Sequence, residues 1–163
     1  MMRKWFCTGL LAVVIALPAL SGAARAGGDD DLGCSNATLQ GDYAFSVLTI
    51  APAPNVVVGL GTFDGRGGFA QIDYPGDGLS MNPPLTHFRT GQTGTYMVNS
   101  NCTGFMTIDI VQAGVVVTNA IVISNGGRSI HAVVAGGLTV GGMAVPAGKT
   151  RVDFWKVASD QDD

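Results

Sequence analysis

Between Tyr43 and Val157 the chain is a succession of short blocks of Val, Ile, Thr and aromatic residues, each closed by glycine, asparagine, aspartate or proline. That pattern constrains the fold more than any single motif. Blocks this short and this β-branched make strands, and turns this tight pair each strand with its neighbour in antiparallel fashion. Residues that favour exposed helix are nearly missing: the sequence has 24 glycines, no glutamate, and after residue 26 only Lys149 and Lys156 as lysines. The protein is therefore expected to be all-β.

The blocks fall at residues 43–50, 56–63, 69–73, 93–98, 104–111, 115–124, 129–135 and 151–157. Prolines 52 and 54 end the first, and Asp64-Gly-Arg-Gly-Gly68 makes a strong hairpin signal between the second and third. Gln112-Ala113-Gly114 and Asn125-Gly126-Gly127 turn the chain later. In the fifth block Met106, Ile108 and Ile110 share one face, and Phe105, Thr107, Asp109 and Val111 share the other. Eight strands joined mostly by short turns predict an eight-stranded antiparallel β-barrel, with a β-sandwich as the alternative. A barrel of that size has an interior that side chains fill or that holds one small ligand. The longest irregular stretch, residues 74–89, has the length of a mouth or a lid.

The N-terminus carries Arg3 and Lys4, an apolar run, and then SGAARA with small residues before Gly27. This is the layout of a cleaved signal peptide over residues 1–26, the alternative being a retained anchor. The remaining chain divides into a leader at 27–41, a barrel domain at 42–158 and a polar tail at 159–163. Its six basic and twelve acidic residues give a formal charge of −6, which disfavours nucleic acid and anionic lipid as partners. The expected location is secreted or periplasmic, with no membrane association after cleavage. Cys7 leaves with the signal, so Cys34 and Cys102 are the remaining thiols, and in an oxidising compartment they are predicted to pair. Two free or metal-binding thiols are the rival reading, and neither cysteine has a His or Cys at ligand spacing.

CSNATLQGDYAF, GTFDGRGGF and GTYMVNSNCTG occur in that order. The arrangement resembles a group of exported bacterial proteins whose barrel is similar to allene oxide cyclase and the plant dirigent proteins. The resemblance implies an eight-stranded barrel with a hydrophobic lumen, in a superfamily whose members cyclise reactive fatty-acid epoxides or steer radical coupling. Plant allene oxide cyclases use a buried glutamate in that lumen. This chain has none, so no catalytic residue carries over.

The residues themselves supply few chemical candidates. His87 lies in the Pro-rich stretch and His131 within a strand, without His-x-His or Cys-x-x-Cys spacing, so neither a metal nor another cofactor is expected. Register decides whether His131 faces lumen or solvent. Asp109 lies opposite Met106, Ile108 and Ile110, which places it outside the barrel or buried with a partner. Arg151 and Asp153 share a face with Trp155; a cross-strand ion pair is the simple reading, and a lumen charge that steers a substrate is the sharper one. Tyr43, Phe45 and Tyr96 are the aromatic candidates for lining a lumen, with His131, Arg151 and Asp153 as the polar ones. No Gly-x-Ser-x-Gly motif marks a serine hydrolase. Three functions fit: a barrel that binds a small hydrophobic ligand, a cyclase or isomerase acting on a reactive apolar substrate, or a structural module that self-associates as a homo-oligomer.

Overall fold

Eight antiparallel strands follow one another around a closed barrel in sequence order. They are β1 (Gln40–Thr49), β2 (Asn55–Asp64), β3 (Gly68–Pro75), β4 (Arg89–Val98), β5 (Thr103–Ile110), β6 (Val115–Ser124), β7 (Ser129–Thr139) and β8 (Thr150–Lys156). The computed structural model describes residues 32–50, 54–139, 142, 144 and 149–158. The expected signal peptide and the polar tail lie outside them. β1 pairs with β2 on one side and with β8 on the other, so the sheet has no free edge. That closure selects the barrel over the sandwich. Among the described residues no helix is long and apolar enough to cross a membrane.

Local chemistry explains the turns. The carboxylate of Asp64 accepts the backbone N–H groups of Arg66, Gly67 and Gly68 at 2.7, 3.0 and 2.9 Å, which fixes the β2–β3 hairpin. Those hydrogen bonds, Arg66 first, hold the Asp64 carboxyl below the usual carboxylate range. On β2, Gly59 faces inward and the ring of Phe45 lies on it; a Cβ there would collide with that ring and with the Ile72 carbonyl oxygen.

One end of the barrel is sealed. A 3₁₀ turn at Asn36–Thr38 lies across it, with Leu39 fully buried behind. Asn36 Oδ1 accepts Val98 N–H at 2.8 Å, and the Tyr96 hydroxyl lies 2.9 Å from the Leu39 carbonyl oxygen. Cys34 and Cys102 are joined by a disulfide, with their Cα atoms 5.1 Å apart, tying this floor to the β4–β5 turn. Above the floor the interior is packed with rings. Phe63 sits at the centre, its centroid 5.1 Å from Tyr43, 4.9 Å from Phe69 and 5.2 Å from Tyr96.

The two buried phenols make the fold sensitive to alkali. Burial pushes Tyr43 up, the neighbouring Tyr96 adding to it; burial also pushes Tyr96 up, against a backbone hydrogen bond at Gly67. An unfolded tyrosine ionises near pH 10, so above that pH the unfolded chain loses protons that the folded chain keeps. Stability present below about pH 10 is thus lost as pH rises further. Urea midpoints are expected to hold steady from neutral pH to about pH 9.5 and then fall, with phenolate absorbance from these two residues growing only as the fold is lost. Ionisation of all three tyrosines in a chain whose circular dichroism is unchanged would contradict this.

Candidate functional site

Inward side chains change size along the barrel, and that change makes a cavity. Toward the floor they are Tyr43, Phe63, Phe69, Tyr96, Met106 and Phe154, all buried. Toward the other end the inward positions hold Val47, Thr49, Val57, Val117, Val134 and Val152, whose short branched side chains do not meet across the interior. The space left between them measures about 370 Å³, within the usual range for a small-molecule site. Phe45, Ile108 and Phe154 line it as well. It is closed by the aromatic plug on one side and opens at the far end, where Thr49, Asn55, Pro75 and Thr150 form the rim.

Among the described residues, the irregular segment borders this mouth together with the β5–β6 turn at Ala113. Strands β3 and β4 run further than the sequence pattern indicates, so the loop spans residues 76–88, and Asp77 and Met81 reach the cavity. The loop is folded back on the barrel: the Tyr74 hydroxyl donates to the Leu85 carbonyl at 2.8 Å and Leu85 N–H donates to the Gly78 carbonyl at 2.8 Å.

Below the rim, Gln71, Asp73, Arg89 and Asn119 interrupt the apolar wall, and Asp73 and Arg89 form an ion pair. Opposite Gln71–Asp73 of β3, the partner strand β4 carries one extra residue, since Gln71 pairs with Gln92 but Asp73 pairs with Arg89. Gly91, at φ +78°, supplies the left-handed backbone this bulge needs. Without it Arg89 would point outward; with it Arg89 turns inward onto Asp73. Arg89 Nε donates to Asp73 Oδ1 and Nη2 to Oδ2, both at 2.7 Å, and Asp73 is 3% exposed. Next to them Gln71 Nε2 donates to Gln92 Oε1 at 2.6 Å, while Gln92 Nε2 has no partner.

Asn119 is the fourth residue of this wall. It lies on β6 between the inward Val117 and Ile121, and its cross-strand partners are Met106 on β5 and Val134 on β7. Every neighbour on its face is apolar. Its Oδ1 is buried with no hydrogen-bond partner although the residue lines the cavity. An amide left in that condition costs a fold about 1–3 kcal/mol, which a leucine at the same place would not.

The residues expected from the sequence divide between two places. Phe45 lines the cavity; Tyr43 and Tyr96 face inward but belong to the filled half. His131, Arg151 and Asp153 lie together on the outer wall, because Ile130, Ala132, Val152 and Phe154 take the inward positions of β7 and β8. There His131 Nδ1 stands 2.8 Å from Asp153 Oδ1 and Arg151 Nε 2.6 Å from Oδ2. Burial works to push the Asp153 carboxyl up, but the hydrogen bonds from His131 and Arg151 outweigh it and hold the group below the usual range. Ser124 Oγ is 3.5 Å from His131 Nε2, so the order is that of an acyl-transfer triad. That hydroxyl is at the limit of hydrogen bonding, the imidazole is 52% exposed on an open wall, and both Asp153 oxygens are engaged. The cluster is an ion pair within β8, Arg151 with Asp153, joined across to β7 by the His131–Asp153 hydrogen bond. Asp109 is exposed on the outer face, and His87 is exposed in the mouth loop with its Nδ1 3.1 Å from Thr86 Oγ1.

Asp73, Arg89, Gln71 and Asn119 are absent from the sequence-derived candidates. Arg89 was hidden by the bulge. Asn119 has a visible signal: it is the one polar residue on the face Val115, Val117, Asn119, Ile121, Ile123.

Among the described residues no group of three or more His, Cys, Asp or Glu is placed to hold a metal ion. No protein-family model matches the chain, and no curated protein matches its sequence.

Proposed function

We propose that this protein is an exported carrier or sensor that binds one small, largely apolar molecule in the open half of its barrel. The observation that carries the reading is the blind cavity of about 370 Å³, apolar on most of its wall and open at one rim. The disulfide and the signal-like N-terminus support export. The likeness of its motif order to exported proteins of the allene oxide cyclase type supports the same use of the lumen.

Binding ranks above cyclisation for a chemical reason. A cyclase of this kind is served best by a buried group free to move a proton. Of the two carboxylates in the described lining, Asp73 has both oxygens held by Arg89 and Asp77 is exposed at the mouth. What the cavity offers is shape, exclusion of water and a few fixed polar contacts.

Equilibrium dialysis against 1-decanol tests the reading. The protein is expected to retain it, and Val117→Phe, which puts a ring into the space, is expected to lower retention at least tenfold while circular dichroism stays that of the parent. Equal retention by parent and variant would remove the proposal.

A further inference from the structure

Resting on the lumen-binding reading, we infer that the occupant carries an uncharged hydrogen-bonding group, a hydroxyl or a carboxamide, which pairs with the side chain of Asn119. Two independent features of the wall lead there.

The first is the unpartnered amide. Asn119 is 2% exposed and its Oδ1 has no hydrogen-bond partner. None of Val117, Ile121, Met106 or Val134 around it can supply one. Buried polar groups are satisfied in nearly all folded proteins, so the exception asks what satisfies it. Asn119 lines the cavity, and an occupant of the cavity is the missing partner. Because an amide turned end for end keeps nearly the same shape, the side chain presents an acceptor or a donor to that space. A hydroxyl or a carboxamide complements either.

The second is the charge of the lining. Among the described residues of the lining, Asp73, Asp77 and Arg89 carry charge, a formal balance of −1 whose unpaired member, Asp77, is exposed at the mouth. The one cation is already engaged, with Nε and Nη2 of Arg89 on the two oxygens of Asp73. A fatty acid entering as its carboxylate would shed its hydration with no free cation in the described lining to receive it. An uncharged head group avoids that loss. At the volume share of a water molecule the cavity holds roughly a dozen water-sized groups, so the ligand is a medium-chain or compact ring compound rather than a long-chain lipid.

Equilibrium dialysis with four ten-carbon probes distinguishes the outcomes: 1-decanol, decanamide, decanoate and decane. Decanol and decanamide are expected to bind at least tenfold more tightly than decane, and decanoate at least tenfold more weakly than decanol. In Asn119→Leu the advantage of decanol over decane is expected to vanish while decane binds as before. The same variant is expected to melt several degrees higher than the parent, because an orphaned amide has been removed. Asn119→Val gives the same reading should leucine overfill the site. Decanoate binding as tightly as decanol, or a preference for decanol that survives both substitutions, would overturn the inference while leaving lumen binding intact. Failure of all four probes to bind would overturn lumen binding itself, and this inference with it.

Discussion

Arg89→Met is expected to lower the unfolding free energy by about 3–5 kcal/mol, because it leaves the Asp73 carboxylate buried without its partner. Asp73 is 3% exposed and touches Arg89 through both oxygens at 2.7 Å, so losing the guanidinium removes both charge-assisted hydrogen bonds of a buried carboxylate at once. Removing both charges is a different case. Asp73→Leu combined with Arg89→Met leaves no stranded ion, and substitutions of that kind are often neutral or stabilising. The double variant should therefore regain most of the loss, a non-additivity of several kcal/mol between two side chains in direct contact. Urea denaturation of the parent and the three variants measures it, with the slope unchanged if the denatured states are alike. A single variant that loses under about 1 kcal/mol would mean that the pair behaves as a solvated surface pair, and the bulge at Gly91 would not aim Arg89 inward.

Loss of the disulfide is the second large effect. Cys34 and Cys102 are 68 residues apart in sequence, and closing a loop of that length restricts the unfolded chain by about 4 kcal/mol in the chain-entropy account. Cys34→Ser with Cys102→Ser is expected to lower stability by about that much, and a thiol reductant should lower the parent similarly without affecting the variant. The damage should stay at the floor, where the 3₁₀ turn and Leu39 lose their covalent tie. Ligand affinity of the still-folded fraction should be unchanged, because the cavity is built from the opposite half of the barrel. A tenfold weaker affinity in the folded variant would show that the two halves are coupled.

Much of the barrel is readable along the chain, and the reason is local. Each turn carries its own chemistry, as at Asp64 with its three accepted N–H groups, and each strand carries a side-chain alternation that survives wherever the ladder is regular. The pairing of Cys34 with Cys102 follows from there being no other thiol after residue 26. The site is less readable because it depends on irregularities. One extra residue on β4 reverses the facing of everything beyond it and turns Arg89 from an outward residue of an irregular stretch into half of a buried pair. A second register shift, between Thr118 and Asn119, falls on the β6–β7 ladder beside the unpaired amide. Alternation cannot place either shift, although Gly91 and the run Gly136-Gly137 stand near where they occur. The outer cluster of His131, Arg151 and Asp153 shows the converse. Its parity was regular, and the apolar residues alternating with it, Ile130, Ala132, Val152 and Phe154, decide which side faces in.

On the proposed function the ligand enters the open half of the lumen and not the groove of the outer wall. Methyl-resolved NMR of the isotope-labelled protein titrated with 1-decanol tests it most directly. Saturable shifts are expected at the lumen methyls of Val47, Val57, Ile108 and Val117, with the outward methyls of Val58, Val116, Val122 and Val133 unmoved. Shifts confined to the outward set, with the lumen methyls unchanged at saturation, would contradict it.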